Sequence, residues 1–183
     1  MPFFETGIQG LVVYEPRIFP DDRGYFFESF SQRAFEAEGL TMKWVQDNQA
    51  RSCYGVIRGL HYQHAPHAQT KLIRALSGSI LDVVVDIRKA SPTYGKVFSI
   101  ELSADNKRQL LVPKGFAHGY SVLSETAEIL YKCDSFYSKE SEGGVRYDDP
   151  ALGIDWQIPA GKSLLSPKDI ILPVLSEAVN HFV

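Results

Sequence analysis

The sequence predicts a mainly β fold, a sandwich or barrel, on three observations: stretches that alternate apolar and polar residues with a period of two, turn-forming clusters between them, and little helical periodicity. The clearest strand is "SILDVVVDIR", in which Leu81, Val83, Val85 and Ile87 share one face while Asp82, Asp86 and Arg88 share the other. That pattern predicts a half-buried strand. Similar runs lie near 11–15, 24–30, 43–51, 56–62, 70–77, 96–103, 109–113, 115–123 and 127–135, punctuated by "PDDRG", "SGS", "SPTYG", "SADNK" and "PKG". About ten short strands so spaced indicate a sandwich or barrel. Only "SQRAFEAEG" reads as a helix, with Ser31 as N-cap and Gly39 as its stop, and the tail from Pro167 to Val183 is expected to add a turn or two. Strands that do not alternate with long helices disfavour a parallel α/β architecture.

A chain of 183 residues is read as one domain spanning 1–183, able to bury about two-thirds of its unfolded surface. Its 44% apolar and 22% charged residues exclude a disordered or fibrous chain. A net charge of −3, with the basic residues scattered, gives no footprint for nucleic-acid binding. Cys53 and Cys133 are far apart with no CxxC spacing, which suits a reducing compartment and argues against disulfides and zinc–thiolate sites. "MPFFETGIQG" lacks the marks of a signal peptide and no run reaches the roughly 18 apolar residues of a membrane span, so the expectation is a cytoplasmic protein without membrane contact.

The first candidate motif is "VPKGFAHGY", where Pro113, Gly115 and His118 form a P-x-G-x-x-H pattern. It resembles the second motif of the cupin superfamily, double-stranded β-helix jelly rolls with a pocket inside the barrel. The competing reading of His118 is a hydrogen-bonded core histidine. Metal-binding cupins also carry an H-x-H pair followed by a carboxylate, because residues two apart on a strand point the same way. Here His61 and His64 are three apart and no Asp or Glu follows His61 within twenty residues, so no metal is expected.

A histidine without a metal points to proton transfer, since imidazole titrates near neutrality. His61 is the candidate base and Asp169, in "SPKDI", a candidate partner or else a surface turn residue. Lys71 shares a strand face with Ile73 and Ala75, and Tyr131 with Ala127, Ile129 and Cys133. In such surroundings a lysine can stabilise an enolate oxygen and a tyrosine can deliver a proton. The alternatives are a snorkelling lysine and a core tyrosine with its hydroxyl satisfied.

Taken together, "FPDDRGYFFESF", "WVQDNQARS", "VIRGLHYQ", "QTKLIRALSGSILDVVVDIR", "SADNKRQLLVPKGFAHGYSVLSETAEILYK" and "LLSPKD" resemble the dTDP-4-dehydrorhamnose 3,5-epimerase family in register from about residue 4 to 169. The resemblance implies a cupin-type jelly roll with a few short helices. The implied reaction inverts both carbons flanking the ketone of a dTDP-linked 4-keto-6-deoxyhexose, with no metal or redox cofactor. It implies His61 as base, Asp169 as its dyad partner, Tyr131 as acid on the opposite face and Lys71 at the sugar 4-oxygen. It places Arg58 and His118 along the pocket, matches Arg23, Glu28, Gln46 and Asn48 to nucleotide-binding positions, and adds Glu140 and Lys168. It also implies a homodimer, consistent with the exposed edges and faces of a small jelly roll, whose interface part of the nucleotide site would cross.

The pattern supports this in part, with Gln46 and Asn48 expected to share a face with Trp44, and Glu28 with Phe26. Arg58 and His61 conflict, because residues three apart on a regular strand face opposite ways, and Gly59 between them is the natural place for a bulge. His64 and His67 flank Pro66 and are expected to face solvent, and Arg74 to lie opposite Lys71. Phe136 stands where the family is expected often to carry tyrosine, with Tyr137 next, which leaves a single-centre epimerase as the nearest alternative. A metal-dependent cupin oxygenase or isomerase and a non-catalytic sugar-binding cupin are the alternatives of other classes.

Overall fold

The computed structural model describes residues 2–182, so the end of the expected C-terminal tail, at Val183, lies outside the described residues. β1 (Phe3–Glu5), β2 (Val12–Tyr14), β3 (Phe19–Asp21) and β4 (Gly24–Phe26) precede α1 (Gln32–Ala37). β5 (Gln46–Cys53), β6 (Ile57–Gln63), β7 (Lys71–Ser77), β8 (Ser79–Asp86), β9 (Val97–Ser103), β10 (Gln109–Val112), β11 (Phe116–Val122) and β12 (Thr126–Cys133) follow, and β13 (Glu142–Gly144) and α2 (Pro167–Ile170) complete the order.

Two sheets, β1-β2-β10-β7-β12-β5 and β13-β6-β11-β8-β9, stack as a cupin-type jelly roll, and β3 and β4 form a separate hairpin. The named strand pairs are antiparallel. Ile73, Leu110 and Ile129 of the first sheet meet Ile80, Val84, Leu102 and Val122 of the second in a central core. A second layer covers the outer face of the five-stranded sheet, where Leu81, Val83, Val85 and Ile87 pack with Trp156, Leu175, Ala178 and Phe182. A third lies outside the six-stranded sheet, where Phe35 of α1 packs on Tyr14, Leu72 and Leu111.

This layering corrects the reading of β8 as half-buried. Seven of its eight residues are buried, Asp82 and Asp86 included. The C-terminal segment covers one face and the opposing sheet the other, a condition that alternation within one strand cannot reveal. Asp86 is satisfied locally. It accepts from Arg88 Nε and Nη2 at 2.9 and 2.7 Å, from the Arg88 backbone N–H at 3.0 Å, and from the Ser91 and Thr93 hydroxyls at 2.7 and 2.6 Å.

Within the run expected at 24–30 pairing holds only to Phe26, which lies opposite Phe19, the first residue of β3; the Arg23 N–H bonds Asp21 Oδ1 at 2.8 Å in the turn that joins the two strands. Helix α1 follows Ser31, whose hydroxyl makes no capping bond, and ends before Gly39 at φ +76°. The strand expected at 43–51 begins at Gln46. Trp44 therefore escapes the alternation and packs edge-on against Phe30 at 6.1 Å, away from Gln46 and Asn48.

Candidate active site

Two adjoining chambers open into the barrel. One, of about 320 Å³, is lined by polar groups including Gln46, Asn48, Gln63, Gln69, Tyr137 and Glu142. The other, of about 500 Å³, is lined by Arg58, His118, Tyr120 and Asp169 together with Ala50, Ile57, Ile129 and Leu165. His61, Lys71, Tyr131 and Lys168 border both.

His61 is set by β6 and its neighbour β11. Across that ladder His61 pairs with His118 and Arg58 with Tyr120, so Gly59 and Leu60 together oppose the single residue Gly119. The bulge expected at Gly59 is present, and it returns Arg58 and His61 to the same chamber. Only glycine fits here. Gly59 has φ +127° and a Cβ on it would stand 2.5 Å from Gly119 Cα, while one on Gly119 would stand 2.6 Å from the Arg58 carbonyl oxygen.

Asp169 arrives from the far end of the chain. Ser166 caps α2 by accepting from the Asp169 N–H at 3.2 Å, Pro167 occupies the first turn, and the carboxylate meets His61 Nε2 at 2.6 Å. Burial alone would raise the Asp169 pKa, but the His61 hydrogen bond and charge, the Ser166 contact and Lys168 together hold it below the usual carboxylate value. The imidazole remains reachable, with 35% of its side chain exposed against 4% for Asp169.

Lys71 and Tyr131 project from neighbouring strands β7 and β12, with the Lys71 ammonium 5.9 Å from the centre of the Tyr131 ring. Burial pulls the Lys71 pKa down, opposed by Cys133 and Asp82. Burial raises that of Tyr131, with Cys133 and Tyr120 adding to the rise and Arg58 opposing it, so the phenol keeps its proton at neutrality and can donate it. Gln46 Nε2 bonds Asn48 Oδ1 at 3.1 Å, and Gln46 Oε1 accepts from the Tyr137 N–H at 3.0 Å, fixing both amides. Arg58 Nε rests on Ser52 Oγ at 3.2 Å.

Nine of the twelve residues singled out in the sequence meet at these chambers: Gln46, Asn48, Arg58, His61, Lys71, His118, Tyr131, Lys168 and Asp169. Arg23, Glu28 and Glu140 line neither chamber. Arg23 sits at the hairpin tip paired with Asp21, and Glu28 and Glu140 are exposed. The carboxylate beside Lys168 is that of Glu142, at 2.6 Å, two residues after Glu140 on β13. His64 and His67 are part-buried rather than free in solvent: His64 lies 5.3 Å from the His181 ring, and His67 Nδ1 meets Ser141 Oγ at 2.9 Å. Arg74 lies away from both chambers, over the Phe27 ring, as expected.

Sequence reasoning missed Asp82, whose carboxylate lies 2.9 and 3.0 Å from His118 Nε2. The available signal was its place among apolar neighbours, on the same face as Ile80 and Val84. No group of three or more His, Cys, Asp or Glu side chains fit to hold a metal ion occurs among the described residues. None of the described helices is long and apolar enough to cross a membrane.

A jelly roll whose cavity is bordered by a carboxylate-paired histidine, a lysine and a protonated tyrosine fits the class of cupin-fold isomerases. The family model for dTDP-4-dehydrorhamnose 3,5-epimerase matches residues 5–177. The chain belongs to the dTDP-4-dehydrorhamnose 3,5-epimerase family. A relative of that name from Shigella flexneri is 51% identical over 171 residues, 93% of each chain. The crystal structure of the Elizabethkingia anophelis dTDP-4-dehydrorhamnose 3,5-epimerase superposes with a TM-score of 0.92 at 49% identity, covering 96% of both chains. A dTDP-6-deoxy-D-glucose-3,5-epimerase from Legionella pneumophila, solved in complex with dTDP-4-keto-L-rhamnose, gives 0.91 at 46% identity over 96% of this chain and 93% of that one.

Proposed function

We propose that this protein converts dTDP-4-dehydro-6-deoxy-D-glucose to dTDP-4-dehydro-L-rhamnose by inverting C3 and C5 through an enolate. The observation that carries the reading is the His61–Asp169 pair at 2.6 Å, bordering the cavity that Lys71 and Tyr131 also border. Protons next to a ketone are weakly acidic, so removal needs a base and a cation at the oxygen where charge develops. His61 takes the proton, Asp169 offsets the imidazolium charge, and Lys71 stabilises the enolate oxygen. Tyr131 protonates the opposite face. Solvent then removes the proton from His61 and restores that of Tyr131, so each inversion introduces one solvent proton.

The amides of Gln46 and Asn48 suit the hydrogen-bonding edge of a base, and Arg58 and Lys168 suit a diphosphate. His118 lines the sugar end. Cys53 and Cys133 are unpaired, in keeping with a cytoplasmic enzyme. Arg23 and Glu28 serve the nucleotide site of a partner subunit in a homodimer. Two features support that reading: β5 leaves one long edge of its sheet unpaired, and the β3–β4 hairpin exposes Phe19, Tyr25 and Phe26 beside Arg23.

Turnover in deuterated water, read by NMR at C3 and C5, tests the reaction. Deuterium with inversion at both centres is expected, and label at one centre identifies a single-centre epimerase. Binding of the nucleotide sugar without exchange overturns the enzymatic reading. Activity lost to a chelator and restored by one divalent cation overturns the metal-free one. Light scattering tests the assembly: a fully active monomer at micromolar concentration removes the dimer.

A further inference from the structure

We propose that Asp82 is a positioning residue, a buried counter-charge inside the barrel that orients His118 and keeps Lys71 cationic beside the substrate's carbonyl oxygen. The inference rests on the proton-transfer reading of the cavity.

Asp82 and Asp86 lie four residues apart on β8 and both are fully buried, but their surroundings differ. Asp86 is met by the Arg88 guanidinium and two hydroxyls. Asp82 has one side-chain partner among the described residues, the His118 ring nitrogen that its two oxygens share. A buried carboxylate with one such donor retains much of its field, which acts strongly in a poorly solvated interior. Lys71 borders the same chamber as His118 and forms no ion pair of its own among the described residues.

The other charged groups around Lys71 do not supply what it lacks. Arg58 and Lys168 carry the same sign. Asp169 is engaged by His61 and Glu142 by Lys168. Tyr120 and Tyr131 are pushed upward by burial and stay neutral. Cys133 supports the Lys71 charge only as a thiolate, and burial raises its pKa too, so near neutrality it is a thiol. Asp82 remains the group that opposes desolvation of the ammonium: it shares its face of β8 with Val84, Lys71 shares its face of β7 with Ile73, and Val84 and Ile73 belong to the same core between the two sheets. An enolate oxygen needs that ammonium charged before the proton leaves, because a neutral amine stabilises no developing anion.

The test is Asp82→Asn, with the pH dependence of kcat compared with that of Asp86→Asn. In Asp82→Asn kcat should fall by at least about tenfold with KM little changed. The basic limb of its kcat profile should move to lower pH by on the order of one unit. Asp86→Asn should melt earlier and keep the wild-type limb. A folded Asp82→Asn variant with an unmoved limb overturns the proposal. A second measurement needs neither a stable variant nor turnover: NMR of wild-type protein labelled at lysine and histidine side chains, with Lys71 assigned by its loss in Lys71→Arg. An ammonium at Lys71 and a proton on His118 Nε2 at neutral pH are expected; a neutral amine, or the proton on Nδ1 alone, overturns the proposal. A wild-type enzyme that exchanges no substrate protons overturns the epimerase reading and leaves this measurement standing.

Discussion

His61 and His118 face each other across one ladder and each gives Nε2 to an aspartate, yet the two pairs are built differently. The carboxylate for His61 comes from 108 residues away, on a four-residue helix, and leaves the imidazole 35% exposed. That for His118 comes from the adjacent strand of the same sheet, and both side chains are buried, at 8% and 0% exposure. A base must reach its substrate and exchange protons with solvent; both imidazoles border the chamber, but the first is far more open to solvent. The second has the rigidity and low polarity suited to holding a charge in place. Identical side-chain chemistry thus takes different work according to burial.

The largest expected effect that separates the pairs is His61→Asn, which should abolish both solvent exchange and inversion while nucleotide binding persists. Retained exchange there would move the base to the deeper pair. Tyr131→Phe comes next: deuterium should enter with retained configuration, while inversion falls by about 10²–10⁴, the range for loss of a general acid. Inversion at the wild-type rate would show that water or another side chain delivers the proton. Asp169→Asn should slow turnover on the order of a hundredfold, since the amide neither offsets the imidazolium charge nor accepts as strongly. Full activity would dissolve the first pair as a functional unit.

The smallest effect concerns stability alone and uses Asp86 as the reference. Burial would raise its pKa, but Arg88, Ser91 and Thr93 bring it down to about 2 from 3.8. A depressed folded pKa stabilises above the unfolded value and is lost as pH falls through the folded one. Asp86→Asn should therefore lose charge-linked stability on the order of 2 kcal/mol at neutral pH, and that part of the difference should vanish as pH drops below about 2. Thermal melts across pH check this, and a difference that persists in acid would assign the loss to packing.

Much of this was legible along the chain because period-two alternation reports what a strand buries. Lys71 with Ile73 and Tyr131 with Ile129 do turn inward together. Gly59 marked its own bulge, since no other residue tolerates both its φ and the approach of Gly119. Glu142 was passed over for Glu140 because β13 is three residues long and contains two glycines, too little for a face to be read. The turn "PDDRG" was legible, but the strand before it, Phe19–Asp21, was not, because three residues with a proline in the middle give too short a run for alternation to be read.

By itself, then, the sequence determined the β class, the turn positions, the inward faces of β5, β7 and β12 and the residues able to move protons, all of which depend on local sterics and solubility. Tertiary structure alone decided which carboxylate meets which imidazole. Asp169 reaches His61 only because α2 folds back against β6, and Asp82 loses the solvent its charge prefers only because a second sheet closes over it. Both outcomes depend on contacts between residues remote in the chain, and the free energy of a charge is set by what surrounds it rather than by its neighbours in sequence.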